Sequence, residues 1–543
     1  NEVCVMAQSL PYALSCKGGL NTNVNQFEII KTPGSATVLE NFEVDTDGGY
    51  RRINGFAPYG GSSATSPNST NAITGLFVYA DGLIACSGTN IYFTLDGVTW
   101  LLINRASVDA SGDNYAAFTG RSTATRTSQA ECTITLYEGD STYGEVIITD
   151  SSSNSKPFYF KMTGSGALTN RTYFAKEITV SGTVFPKVCI IHDKHLVVSG
   201  DTNNPNTIYY SGTDDIDDFS STGSGSIKLD DKVIGLRSFR EDLIIFCRNS
   251  IYKLQNINIS ASIVVTPITK NVGCLDNGSI QEFSGDLVFL SPDGIRTLAG
   301  TTRIGDVELS SLSRPIQPII NNMVTNINNL VISSLILRNK SQYRLFYATS
   351  SQAALDSKGI IGSITGEGMA WSETKGIQAR SATSGFASSG VEEFYHGDNE
   401  GHIYIHNSGN SFYHSGEVAS ILATYKTPSF DFGDHGTRKT LNFLKLSVTP
   451  EGVVEPTLRV RYDYEDTSLP QPPDYVLTSI KKPAVFGTSK FAAAFFGASN
   501  DPTVRQAVQG SCHTANFRIR SSDTNAPYAI NGLYIDYTPA NRR

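Results

Sequence analysis

Two clusters of ionisable side chains have residue types suited to metal chemistry. The loop SGTDDIDDFS carries Asp214, Asp215, Asp217 and Asp218, and oxygen ligands at that density suit calcium. The loop lacks the DxDxDG spacing of a known calcium loop, so a solvated acidic turn is expected. The segment HIYIH sets His402 and His406 an even number of residues apart, on one face of a strand, with Asp398 nearby. Imidazole and carboxylate together can hold a transition metal. Two histidines without a third placed ligand are more commonly core or surface filler, so no metal is expected.

A third segment, FTLDGVTW (Phe93–Trp100), resembles the Asp-box turn of sialidase propellers, but it is one residue short and occurs once. A β-turn with Asp-Gly at its apex accounts for it. Sialidase chemistry needs clustered arginines at a hub with a Tyr/Glu pair, and the arginines here are scattered. There is no GxSxG, HExxH or Walker loop. No catalytic, cofactor-binding or metal-binding residue is assigned, no cofactor is expected, and the chain is read as a non-enzyme.

The elements that would position these residues are strands. Gly (48), Tyr (25) and Phe (27) are frequent and charged residues make up only 17%, a balance that favours strands joined by tight turns. One phrase recurs: an apolar strand, a short polar turn, a Leu-aliphatic-aliphatic strand, another turn, and a strand containing Ile-Tyr or similar. It appears at 73–95, 187–210, 232–254, 279–298, about 331–372, and 391–405. Each unit leaves an apolar face that only a neighbour can bury, and a closed ring leaves no end unit exposed. The expected fold is all-β: a propeller of about six blades, formed by 70–100 and 185–415. Separate sandwiches would not need the phrase to return six times.

Residues 101–184 lack the phrase and read as a small β domain inserted after the first blade. Residues 416–543 carry longer alternating strands and read as a β-sandwich, with Leu458 and Val460 on one face and Arg459 and Arg461 on the other. Residues 1–69 read as an N-terminal arm with a hairpin turning at DTDGG, and an early strand there is expected to close the ring beside the last blade. One short helix is expected near 314–329, with Ile316, Ile319, Ile320, Met323 and Ile327 on one face and Ser313 as its cap.

The eight cysteines show no zinc or redox spacing. Buried free thiols are expected, with a Cys4–Cys16 pair as the alternative. The opening residues lack a basic n-region, so no export signal is expected. FAAAFFGA, at 491–498, is too short to span a bilayer. The net charge of −8, without a basic block, argues against a protein that grips nucleic acid by its phosphates. It leaves room for one that nucleic acid slides past.

Three segments carry a resemblance: GGLNTNVNQFEIIKTPGSATVLENFEVDTDGGYRRINGF, VIGLRSFREDLIIFCRNSIYKL, and NVGCLDNGSIQEFSGDLVFLSPDGIRTLAGTTRIGDVELSSLSRPIQPII. The closing INGLYIDYTPANRR fits as well. Together they resemble the tail nozzle (tail tubular or tail stabilisation) proteins of short-tailed bacteriophages, or podoviruses, over most of the chain and least at 101–184. The resemblance implies a virion structural protein made in the host bacterial cytoplasm. It implies a homo-hexamer around the channel for genome DNA, docked to the tail adaptor ring (the head-tail connector). Tail fibres or receptor-binding proteins would attach near that junction, and the tail would face the host cell envelope during infection. It carries over no catalytic residue. The alternative is a phage glycan-binding or polysaccharide-degrading propeller, which a hub pocket lined by arginine and carboxylates would favour. A repeat-type adhesin is a third reading.

Overall fold

A computed structural model describes residues 8–540, apart from 33, 47, 104–129, 140–141, 260–261, 300–310, 367, 387–389, 479, 482–483 and 485–501. Cys4 and the 491–498 stretch lie outside the described residues. The described residues are nearly all β in a propeller arrangement, with one helix longer than a single turn, a four-residue helical turn at Gln26–Ile29, and a further C-terminal β domain.

Each recurrence of the phrase yields one antiparallel meander. The sheets span 73–102, 188–228, 233–269, 281–297, 330–375 and 381–406. Their first strands follow one another around a closed ring, with the turn Asn277–Ser279 bridging the 233–269 and 330–375 sheets and one further sheet between 73–102 and 188–228. Successive sheets also share apolar clusters. Val197 and Ile208 meet Leu236 and Ile245, and Phe246 meets Phe289. Leu335 and Ile361 meet Phe394, and Tyr395 meets Ile73 and Leu83. The early closing strand is present: Phe56–Pro58 pairs antiparallel with Ile403–His406 and completes the last sheet.

The sheet at 132–177 is inserted in sequence after the first repeat unit, and in space it stands within the same ring. Its first strand, Cys132–Tyr137, lies between Ile73–Tyr79 and Val188–His192. Its alternation serves both neighbours. Val146 and Ile148 pack on the 73–102 sheet, while Ile147 packs on the 188–228 sheet.

The C-terminal domain is built from both ends of the chain. Lys439–Pro450 and Tyr528–Pro539 form the spine of a seven-stranded sheet. Leu10–Ser15 and the hairpin Phe42–Val44/Tyr50–Arg52 add to it. Gly48 and Gly49 turn that hairpin at φ +92° and +98°, where only glycine is unstrained. The facing layer holds Ile421–Lys426, Ala515–Asp523 and Thr457–Tyr462. Leu458 and Val460 point into the core, and Arg459 and Arg461 point out to Asp474. Val38–Glu40 joins this layer to the 330–375 sheet, pairing with Ile421–Lys426 on one side and with Glu373 on the other. Ring and sandwich therefore share one continuous nine-stranded sheet.

The helix is Gln317–Thr325, flanked by 3-10 turns at Arg314–Ile316 and Ile327–Asn329. Ile316, Ile320 and Met323 are buried, with Ile319 and Ile327 packed at the margin. Ser313 does not cap it with its side chain: the hydroxyl is taken by the Ile295 N–H at 2.9 Å, while the Ile316 N–H is met by the Ser313 carbonyl.

Candidate functional site

The first strands of the ring enclose a hub cavity of about 720 Å³. Four charged groups meet there. Arg380 and Glu131 each directly precede the first strand of their sheet, and Arg380 Nη2 donates to Glu131 Oε1 at 2.5 Å. Asp276 opens the 3-10 turn Asn277–Ser279, its Oδ1 accepting the Gly278 N–H at 2.7 Å. Arg237 holds the same turn through Asn277 Oδ1, Asn277 O and Ile280 O, and also donates to Leu236 O. Asn277 Nδ2 reaches Thr133 Oγ1 at 3.2 Å, tying the 132–177 sheet to the turn before the 281–297 sheet.

Burial pushes Asp276 up to about 6; the Gly278 N–H opposes this and the charge of Glu131 adds to it. Burial draws Arg237 down to about 10, so it stays charged at neutral pH. A carboxyl held near neutrality beside one paired with arginine can accept or donate hydrogen bonds, or move a proton. None of these four residues stood out in the sequence. They come from distant stretches, and the local signal of a charged residue abutting the first strand of a sheet applies to Arg380 and Glu131 but not to Arg237, inside its strand, or Asp276, ahead of a turn.

The residues that did stand out lie away from the hub. The acidic loop is dispersed among separate partners. Asp214 accepts from Tyr137 and Lys194, Asp217 pairs with Lys176, and Asp218 accepts from Ser220. His402 and His406 part company. His402 Nδ1 faces Asp398 Oδ2 at 3.3 Å, while His406 is buried against Arg344 and His396. Asp398, Glu400 and His402 do bring ligand atoms within 4.8 Å of one another. Asp398 is already committed: it accepts the N–H groups of Glu400 and His402 and the Tyr404 hydroxyl. That is the geometry of a side-chain-braced turn. Asp96 likewise braces its own turn, accepting from Val98 and Thr99 N–H.

No family model matches the chain, and no curated protein matches it. Solved structures that resemble it include an exo-β-1,3-galactanase from Phanerochaete chrysosporium, at 9% identity and TM-score 0.26, covering 89% of this chain and all of that one. A family 43 arabinoxylan arabinofuranohydrolase from Bacillus subtilis matches at 10% and 0.26, covering 89% and 99%. The Pan2 WD40 domain of Neurospora crassa matches at 9% and 0.35, covering 65% and 94%. Likenesses of this size carry no argument about function.

Proposed function

We propose that the chain is a non-enzymatic wall subunit of a short-tailed phage tail nozzle. Six copies would surround the genome channel, docked to the adaptor ring and carrying fibres or receptor-binding proteins. What supports this is where the resemblance-bearing residues fall. In the Gly-Gly-Tyr-Arg-Arg stretch, Tyr50 donates to Lys17 O and Gly34 O, and Arg52 pairs with Asp523. Arg51 reaches both Glu43 and Glu451. The same segment continues into the strand that closes the ring. These are residues of joinery, which suit a stiff wall element. The acidic balance suits a lumen that DNA crosses without adhering; a bore lined by lysine and arginine would overturn that part. The deciding measurement is mass and electron microscopy of the assembled protein, where a six-fold ring with an axial channel is expected. A stable monomer in virion-derived material ends the reading.

The hub cavity favours a second reading, a phage glycan-binding or polysaccharide-degrading propeller, because Arg237, Arg380, Glu131 and Asp276 converge there. Release of reducing ends from host surface polysaccharide, lost in Glu131→Gln, would support it over the first.

A further inference from the structure

The hub cavity runs against the charge of the molecule around it. The chain carries a net −8, yet Lys187, Lys232, Arg237 and Arg380 line the cavity against Glu131, Asp201 and Asp276. Asp201 is occupied, accepting the N–H groups of Phe185, Asn203 and Asn204. Asp276, raised to about 6 by burial, takes up its proton in mild acid, and this adds to a balance that is already positive in the cavity.

Unused hydrogen-bonding capacity is also concentrated here. The Glu131 side chain is 42% exposed, and among the described residues it meets Ser151 Oγ, at 3.4 Å, besides Arg380. Asp276 Oδ2 has no partner among the described residues, since the Gly278 N–H is taken on Oδ1. Lys187 pairs with no carboxylate among the described residues, although its carbonyl is held by Thr133 and Thr149. An ionised carboxylate, a carboxyl that can donate, and an ammonium together match a ligand bearing several hydroxyls and one negative charge. A cation would meet the arginines, and a neutral sugar would leave Lys187 unanswered.

We infer that the hub cavity binds a carboxylate-bearing saccharide unit, its hydroxyls on Glu131 and Asp276 and its carboxylate toward Lys187. This rests on the second reading of the hub and requires no hydrolysis. The cavity lies in the size range of small-molecule sites.

Calorimetric titration of the full chain with glucuronic acid and with glucose tests it. Glucuronate is expected to bind about tenfold more tightly than glucose, the scale of one charge-assisted contact. Lys187→Gln should remove that preference. Binding should weaken as pH rises through about 6, and Asp276→Asn, which can still cap the turn, should flatten that dependence. Equal binding of the two sugars, no binding of either, or a preference untouched by Lys187→Gln overturns the inference. Should a variant fail to fold, the wild-type comparison decides alone. Polysaccharide release without a glucuronate preference would overturn the inference and leave the second reading standing. Sugar binding without release would do the reverse for degradation.

Discussion

Arg344 and Glu43 meet at 2.9 Å with both side chains out of water, one on the strand Gln342–Thr349 of the ring and the other on the sandwich hairpin. Glu43 also takes Lys340 at 2.8 Å, Arg51 at 2.9 Å and Gln342 Nε2 at 3.1 Å. Burial alone would raise its carboxyl. Lys340, Arg344 and Arg51 overcome that and hold it at about 2. Glu43 is the electrostatic lock between ring and sandwich. Removing one member of a buried network leaves uncompensated charge, so Glu43→Gln should cost about 3–5 kcal/mol in denaturant unfolding. Replacing both Glu43 and Arg344 by apolar residues should cost less than Glu43→Gln, and a larger loss in the double variant would refute the lock.

Acid should weaken the same junction. Glu43 sits below its unfolded value of about 4.3, so its contribution is present above that pH and fades as pH falls toward 2. Burial draws His396 down to about 3, and burial with Arg344 nearby keeps His406 well below its usual range. An unfolded histidine takes up a proton near pH 6.5, while these folded ones stay neutral, so stability is lost as pH drops below about 6.5. Asp398 and His414 act on His396, and Lys340 acts on His406. Thermal melting from pH 7.5 to 4 should show a falling Tm, with a shallower slope in His396→Asn. A flat profile would contradict this.

Ring closure depends on Gly55. A Cβ there would lie 1.8 Å from the Ser411 carbonyl oxygen, in backbone that cannot easily retreat. Gly55→Ala should therefore destabilise by about 3 kcal/mol. Hydrogen exchange should locate the loss at 53–58 and 403–412, with the 233–269 sheet protected as before.

Thiol chemistry should be muted. Burial pushes Cys16, Cys189, Cys247, Cys274 and Cys512 up to about 12. At pH 8 their thiolate fraction falls about a thousandfold below that of a free cysteine. A thiol reagent should label these positions only after denaturation, and rapid native labelling of Cys189 or Cys274 would show that the ring opens.

The architecture was legible in sequence where one local rule fixes burial. The recurring phrase marks strands that bury both faces between neighbours, and all six occurrences are sheets of the ring. Strict alternation at 457–462 placed Leu458 and Arg459 on the correct sides. The 132–177 sheet hid its place in the ring because ring packing asks only for two-residue alternation, which Val146, Ile147 and Ile148 meet without the phrase. The hub was not legible. Glu131 and Arg380 lie far apart in sequence and meet only when the ring closes, whereas His402 and His406, close in sequence, turn to different partners.

The pairing of Leu10–Ser15 with Tyr528–Pro539 also sets a timetable for synthesis. At roughly 5–20 residues per second, the early strand waits on the order of a minute for its mate to leave the ribosome. During that wait a bare strand edge is open to wrong partners, including other nascent copies. The ring sheets, each local in sequence, can form meanwhile, but their closing strand belongs to the same early segment. The subunit should thus reach a form fit for assembly only after Tyr528–Pro539 has been translated, which delays any self-association until that strand is in place.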